Sequence, residues 1–152
     1  MAKKSAGILL YKVEDDLLKI FLVHPGGPFW AKKDNGAWTI PKGEFDDNED
    51  PSNAAKREFE EETGTKLSGK FIELNPVKQK GGKTVYAWAV EGNIDPAKIK
   101  SNEFEMEWPP GSGKMRSFPE IDKAAWFDAK EATKKINEAQ SPLIHQLKAI
   151  VK

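Results

Sequence analysis

Glutamates at positions 58, 60, 61 and 62 crowd into the stretch Arg57-Glu58-Phe59-Glu60-Glu61-Glu62, immediately ahead of Thr63-Gly64. Asp50-Pro51 reads as an N-cap followed by proline at the first helical position, and Gly64 reads as the C-terminal stop. Glu60, Glu61 and Glu62 then fall in the last helical turn, where the helix dipole disfavours each anion by about 0.3–1 kcal/mol. Glu58 with Glu62 (i,i+4) and Glu58 with Glu61 (i,i+3) are like-charge pairs, each costing a further ~0.2–0.5 kcal/mol. Stability alone does not select such a pattern, so something positive must stand against it.

At about 100° per residue, and measured from Ala54, Glu58 falls near 40°, Glu62 near 80° and Glu61 near −20°. The three carboxylates share one arc that overlaps Ala54 and adjoins Ala55 and Phe59, while Lys56 and Glu60 point away. A charge run usually means a solvated helix face. Here the register, the dipole penalty and the apolar neighbours argue for a site. A tight cluster of oxygen ligands suits a hard cation such as Mg²⁺ or Mn²⁺, completed by water and substrate phosphates.

Gly43, five residues, Glu49, seven residues, then Arg57-Glu58-Phe59-Glu60-Glu61-Glu62-Thr63-Gly64 resembles the Nudix box, G-x5-E-x7-R-E-U-x-E-E-x-G-U. Every fixed position is met. The departure is Thr65, where the family has an aliphatic residue. The resemblance implies an α/β/α sandwich with a mixed sheet, and hydrolysis of a nucleoside diphosphate linked to another group. It further implies that Glu58, Glu61 and Glu62 ligate the metal, that Glu49 holds Arg57, and that Gly43 lets the loop turn tightly. Arg57 is expected to orient carboxylates, with Glu58 a candidate general base. A fourth carboxylate from a later segment often joins the cluster in this family. Glu120 is the candidate here, with an ordinary loop acid as the alternative, and Glu103 and Glu105 are weaker candidates.

Ahead of the box, Trp38-Thr39-Ile40-Pro41-Lys42-Gly43 is similar to the W-x-x-P-K-G of diadenosine polyphosphate hydrolases and mRNA-decapping members. Lys42 would then act as a point charge near the polyphosphate. The tyrosine that many diadenosine polyphosphate hydrolases carry beyond the box is missing, and so is the proline of ADP-ribose hydrolases. The loop 25–37 offers Phe29 and Trp30 for a base and Lys32 and Lys33 for phosphate. Trp38, Trp88 and Trp108 are further aromatics that either stack on substrate or pack inside. A dinucleoside polyphosphate is the expected substrate. The alternatives are a nucleoside triphosphate pyrophosphohydrolase and a retired domain that senses or binds a ligand.

The elements needed to position these residues are legible in outline. Strands are expected over 5–12 and 17–24, joined by a turn at Glu14-Asp15-Asp16. A short strand is expected at Trp38-Thr39-Ile40, a hairpin pair over 69–78 and 83–91 closed by Gly81-Gly82, and strands at 102–108 and 123–127. Asp128 should cap a helix reaching about Asn137. Ser141-Pro142 should start a last helix with Leu143, Leu147 and Ile150 on one face. The 152 residues are expected to form one domain over 1–152, of the α/β class.

Composition narrows the function classes. Lys+Arg 24 against Asp+Glu 24 gives a formal net charge of zero, and no global field points to nucleic acid or anionic membrane. The absence of cysteine removes disulfides, thiolate metal sites and cysteine nucleophiles, and fits a reducing cytoplasm. The apolar run near the N-terminus is too short for a signal peptide or a membrane span. His24 and His145 lie too far apart in sequence to suggest a histidine-rich zinc site. The expected partner is a small nucleotide.

Overall fold

Two long strands, β1 (Lys4–Glu14) and β2 (Leu17–Pro25), form the antiparallel centre of a seven-stranded sheet in a computed structural model that describes residues 3–151. Asp15 and Asp16, both at positive φ, make the tight turn between them. Beyond β1 lies β6 (Thr84–Glu91), which runs parallel to it from Lys4↔Thr84 to Tyr11↔Glu91. Beyond β2 lies β9 (Ile121–Asp128), antiparallel, with a register shift at His24/Pro25. The outer edge of β6 takes two short strands, β4 (Ile72–Glu73) and β5 (Val77–Lys78). The lower half of β1 pairs with β3 (Lys42–Glu44), through Ala6↔Gly43 and Gly7↔Lys42.

Side-chain alternation divides the sheet into two buried faces. Ala6, Ile8 and Leu10 of β1, Phe21 and Val23 of β2, and Trp88 and Val90 of β6 pack against Ala54, Ala55 and Phe59 of helix α1 (Pro51–Thr63). Leu9, Ile20, Leu22, Val85 and Ala87 face the other way. They pack against Ala132 of α2 (Ala129–Lys135) and against Leu143, Ile144 and Leu147 of α3 (Ser141–Ile150). The sandwich has α1 on one side of a mixed sheet and α2 and α3 on the other, as expected. A separate hairpin, β7 (Glu103–Glu107) with β8 (Met115–Pro119), stands off the sheet just before β9.

Helix boundaries follow the cap residues. Asp50 accepts a bond from the backbone of Asn53, Pro51 opens α1, and Gly64 closes it in the left-handed region, its N–H donating to the Glu60 carbonyl. Asp128 caps α2 through the Glu131 N–H.

Four expectations need correction. Trp38-Thr39-Ile40 is no strand: only Thr39 exchanges backbone bonds with Val23. The N–H of Trp38 goes to the Lys135 carbonyl and that of Ile40 to the Gln140 side chain. The strand expected over 69–78 is split around Leu74-Asn75-Pro76, where proline supplies no donor. Strand β8 was not expected, because its mostly exposed residues carry little apolar alternation. On α3, Ile150 is 45% exposed and Ile144 takes the buried place assigned to it.

The last correction is testable. Leu147→Ala should lower unfolding free energy in urea by about 2–5 kcal/mol, as for a fully buried leucine. Ile150→Ala should change it by no more than ~0.5 kcal/mol.

Candidate metal-phosphate site

Strand β3 and the loop into it meet the C-terminal half of α1, and the junction between β8 and β9 carries Glu120. Strand β3 lays Gly43 directly over the helix. A Cβ on Gly43 would stand 2.0 Å from Oε2 of Glu58, so only glycine leaves that carboxylate its place. The Lys42 N–H donates to Oε2 of Glu62 at 3.2 Å. The backbone ahead of the box therefore touches two of the three helix carboxylates.

Arg57 supplies the positive partner that the acidic run demands. Its Nε and Nη2 donate to the two oxygens of Glu49, both at 2.8 Å, and Nη1 donates to Glu58 at 2.8 Å and to Glu61 at 3.3 Å. A bidentate guanidinium–carboxylate pair fixes position as well as charge. The Glu49 bonds hold the Arg57 guanidinium in its charged form more firmly than usual, and Arg57 in turn draws the Glu49 carboxyl below its ordinary range.

The carboxylates differ in environment. The Glu58 side chain is 13% exposed and that of Glu61 45%. Burial pushes the Glu58 carboxyl up, against the pull of Arg57. Burial pushes Glu62 from 4.5 to about 8, and the Glu58 charge adds to the rise, while Lys42 opposes it. The Glu120 charge adds the smallest share to the rise of both Glu58 and Glu62. Its backbone is pinned: Gly26 N–H donates to the Glu120 carbonyl at 2.9 Å, and the Glu120 N–H donates to Asn102. A Cβ on Gly26 would lie 1.9 Å from the Pro119 carbonyl oxygen. Glu103 belongs elsewhere, on the hairpin, where it accepts a bond from Ser117.

Among the described residues, no three His, Asp or Glu side chains converge tightly enough to grip an ion as they stand. The reason is visible at Arg57, onto which Glu58 and Glu61 are turned. The donor set nevertheless fits a hard divalent cation: every donor is a carboxylate oxygen, Gly43 clears space above Glu58, and the half-buried Glu62 feels the Glu58 charge. Glu58, Glu61, Glu62 and Glu120 are the residues that could hold it.

Trp38 is not on this surface. It is 5% exposed, packs edge-on against Phe127 and His24, and donates its indole N–H to Asp34. It belongs to the core under α2, which removes it from the candidate substrate contacts. Trp88 is likewise buried, on the α1 side. Trp30 and Phe29 are 37% and 63% exposed, and Phe29 meets Trp108 edge-to-face at 5.9 Å. That contact, together with the Phe104 ring against Gly27, seats the β7–β8 hairpin against the 25–37 loop. Lys42 is half-buried; burial and the nearby Lys83 push its ammonium below the ordinary lysine value, while Glu62, Glu44 and Glu58 support its charge. Gly26 was the residue that reading by motif missed. Its only signal was the Gly-Gly pair at the end of a strand.

Comparison with known proteins gives the class. The NUDIX domain model matches residues 1–147, and the chain belongs to that family. A rat asymmetrical bis(5'-nucleosyl)-tetraphosphatase is 31% identical over 103 residues, which are 60% of this chain and 66% of the rat protein, just under two thirds of its length. Among solved structures, a C. elegans Ap4A hydrolase binary complex superposes with a TM-score of 0.69 at 21% identity, covering 99% of this chain and 98% of that one. The NUDIX domain of Shewanella oneidensis NrtR complexed with ADP ribose gives 0.69 at 15% identity, covering 100% and 90%. At these identities the two structures establish the fold. No helix among the described residues is long and apolar enough to cross a membrane.

The buried Glu62 sets an expected pH dependence. A carboxyl whose value is raised on folding contributes stability that is fully present below its unfolded value, about 4.5, and is lost as pH rises toward 8. In EDTA, Glu62→Gln should therefore melt higher than wild type, by a margin that widens between pH 5 and 8. Added Mg²⁺ should raise the wild-type melting temperature and leave the variant nearly unmoved. Equal stabilisation of both by Mg²⁺ would remove Glu62 from the ligand set.

Proposed function

We propose that the protein hydrolyses a pyrophosphate bond in a nucleoside diphosphate linked to a second group, with a dinucleoside polyphosphate as preferred substrate and Mg²⁺ or Mn²⁺ as cofactor. The observation that carries this reading is the end of α1 itself: Glu58 and Glu61 share Nη1 of Arg57, which Glu49 grips through both its oxygens, while Glu62 is held by the Lys42 N–H. A bound divalent cation supplies charge neutralisation at the phosphates and an activated water.

The chain's own groups have separable roles. Glu58, Glu61, Glu62 and Glu120 would supply oxygens to the cation. Glu49 fixes Arg57, and Arg57 orients Glu58 and Glu61. Glu58 is the candidate to take the proton of the attacking water, because burial already raises its carboxyl. Lys42 places a positive charge against the cluster, and its N–H holds Glu62. Phe29 and Trp30 offer exposed aromatic surface for a base, with the half-buried Trp108 against Phe29 and Lys32 and Lys33 alongside.

The substrate choice rests on those aromatics, on W-x-x-P-K-G, and on likeness to the rat enzyme. Two bases and a long polyphosphate would engage both the cluster and the loop, whereas a mononucleotide would engage fewer contacts. One base stacked on an aromatic contributes about 1–3 kcal/mol. Diadenosine tetraphosphate should therefore be cleaved with a several-fold higher kcat/KM than ATP at saturating Mg²⁺, and Trp30→Ala should narrow that ratio. Faster turnover of ATP would give the triphosphate reading its place, and no Mg²⁺-dependent turnover of either would point to a binding domain.

Glu49→Gln should lower kcat at least tenfold through geometry, since it leaves the helix carboxylates in number but loosens Arg57. Activity within twofold of wild type would show that the pair does not support the site.

A further inference from the structure

His24 is the buried titratable group that the proposed chemistry leaves unused. It sits at the bulge where β2 and β9 change register, with no solvent exposure. Nδ1 lies 2.8 Å from Oδ1 of Asp122, on β9, and Nε2 lies 2.7 Å from the backbone carbonyl of Lys33, in the 25–37 loop. Both partners are acceptors. A neutral imidazole has one N–H and one lone pair, so one of these contacts would set lone pair against lone pair. Only an imidazolium donates to both. A buried cation is costly unless it is paired, and Asp122 supplies the pair.

We propose that His24 is a positioning residue: a buried imidazolium strap that ties the aromatic loop, at Lys33, to the segment that carries Glu120, at Asp122. Asp122 is two residues from Glu120, and Gly26, two residues from His24, bonds the Glu120 carbonyl. The strap and that backbone bond clamp loop and segment together from both sides. The other charged groups near the strap belong to this loop, β9 and α2. Asp34 accepts from Trp38 and pairs with Lys135, and the Lys123 ammonium lies 6.0 Å from the Trp38 ring, which is itself against His24. Asp122 also lines an open cleft of about 550 Å³ beside Asp95, Ile99 and Ile121, so its outer side meets solvent. What the strap sets is the distance from the Phe29 and Trp30 rings to the carboxylate cluster. That distance decides which length of polyphosphate can reach both.

The inference rests on the proposed hydrolase reading only in its kinetic consequence. Nitrogen-15 NMR of the wild-type protein at neutral pH should show both His24 ring nitrogens protonated; an unprotonated ring nitrogen overturns the strap. Hydrogen exchange of residues 27–36 should be at least tenfold faster in His24→Gln, with exchange in α1 unchanged. Asp122→Asn, at a partly exposed position, should give the same acceleration should His24→Gln fail to fold. Unchanged loop exchange in the folded variant overturns the proposal. In the kinetic arm, KM for diadenosine tetraphosphate should rise at least threefold with kcat within twofold; a fall in kcat at constant KM overturns the positioning role. Absence of any hydrolysis by wild type removes the hydrolase reading alone, because the ring protons and loop exchange are measured without catalysis.

Discussion

One guanidinium carries the electrostatic weight of this fold. Without Arg57, the last two turns of α1 would bring several carboxylates together at the negative end of a helix dipole, with part of that charge buried. Arg57 answers this with bonds to Glu49, Glu58 and Glu61. Glu49 lies outside the helix, so the ion pair also anchors the loop that brings β3 to the helix. The loop then returns the favour, since the Lys42 N–H holds Glu62 and Gly43 leaves room for Glu58. Charge compensation and loop geometry are one arrangement here, and a change to either disturbs the other.

The sheet decides what this arrangement faces. Strand β1 pairs with β6 from Lys4 to Tyr11 and, along its other edge, with β3 at Ser5–Gly7 and then β2 at Tyr11–Glu14, so it fixes both the helix beneath and the loop above. Strand β9, next to β2, delivers Glu120 at its start to the same end of the sandwich. The carboxylates of α1 and the later acid are far apart in sequence, and the pairing of β2 with β9 sets where Glu120 lies. The NUDIX family assignment agrees with this layering, and the sandwich with helices on both faces is the physical form it takes.

The acidic helix was fully legible in the sequence, because its cap, proline, glycine stop and carboxylate register are all local signals. The two central strands were legible for the same reason. Trp38 was not. Its neighbours suggested a substrate-facing aromatic, but the indole N–H finds Asp34 four residues earlier and the ring fills space under α2. Such a choice depends on α2, which lies nearly a hundred residues further along. Strand β8 escaped notice because a solvent-exposed two-stranded hairpin needs no apolar alternation. Glu120 could be named as a candidate from its place before a strand, while its backbone tie to Gly26 could not.

That tie separates what can vary from what cannot. Because Gly26 and Glu120 share a backbone bond, and residues 33–38 are fastened by His24, Lys134 and Lys135, the stretch from Phe29 to Lys32 is a surface insert between two fixed posts. Phe29 is tied to the hairpin through Trp108, so the positions open to exchange are Trp30, Ala31 and Lys32, all exposed. In engineering terms the protein comes with a replaceable reading head: on the proposed hydrolase reading, a different 30–32 segment would retune which nucleotide is held.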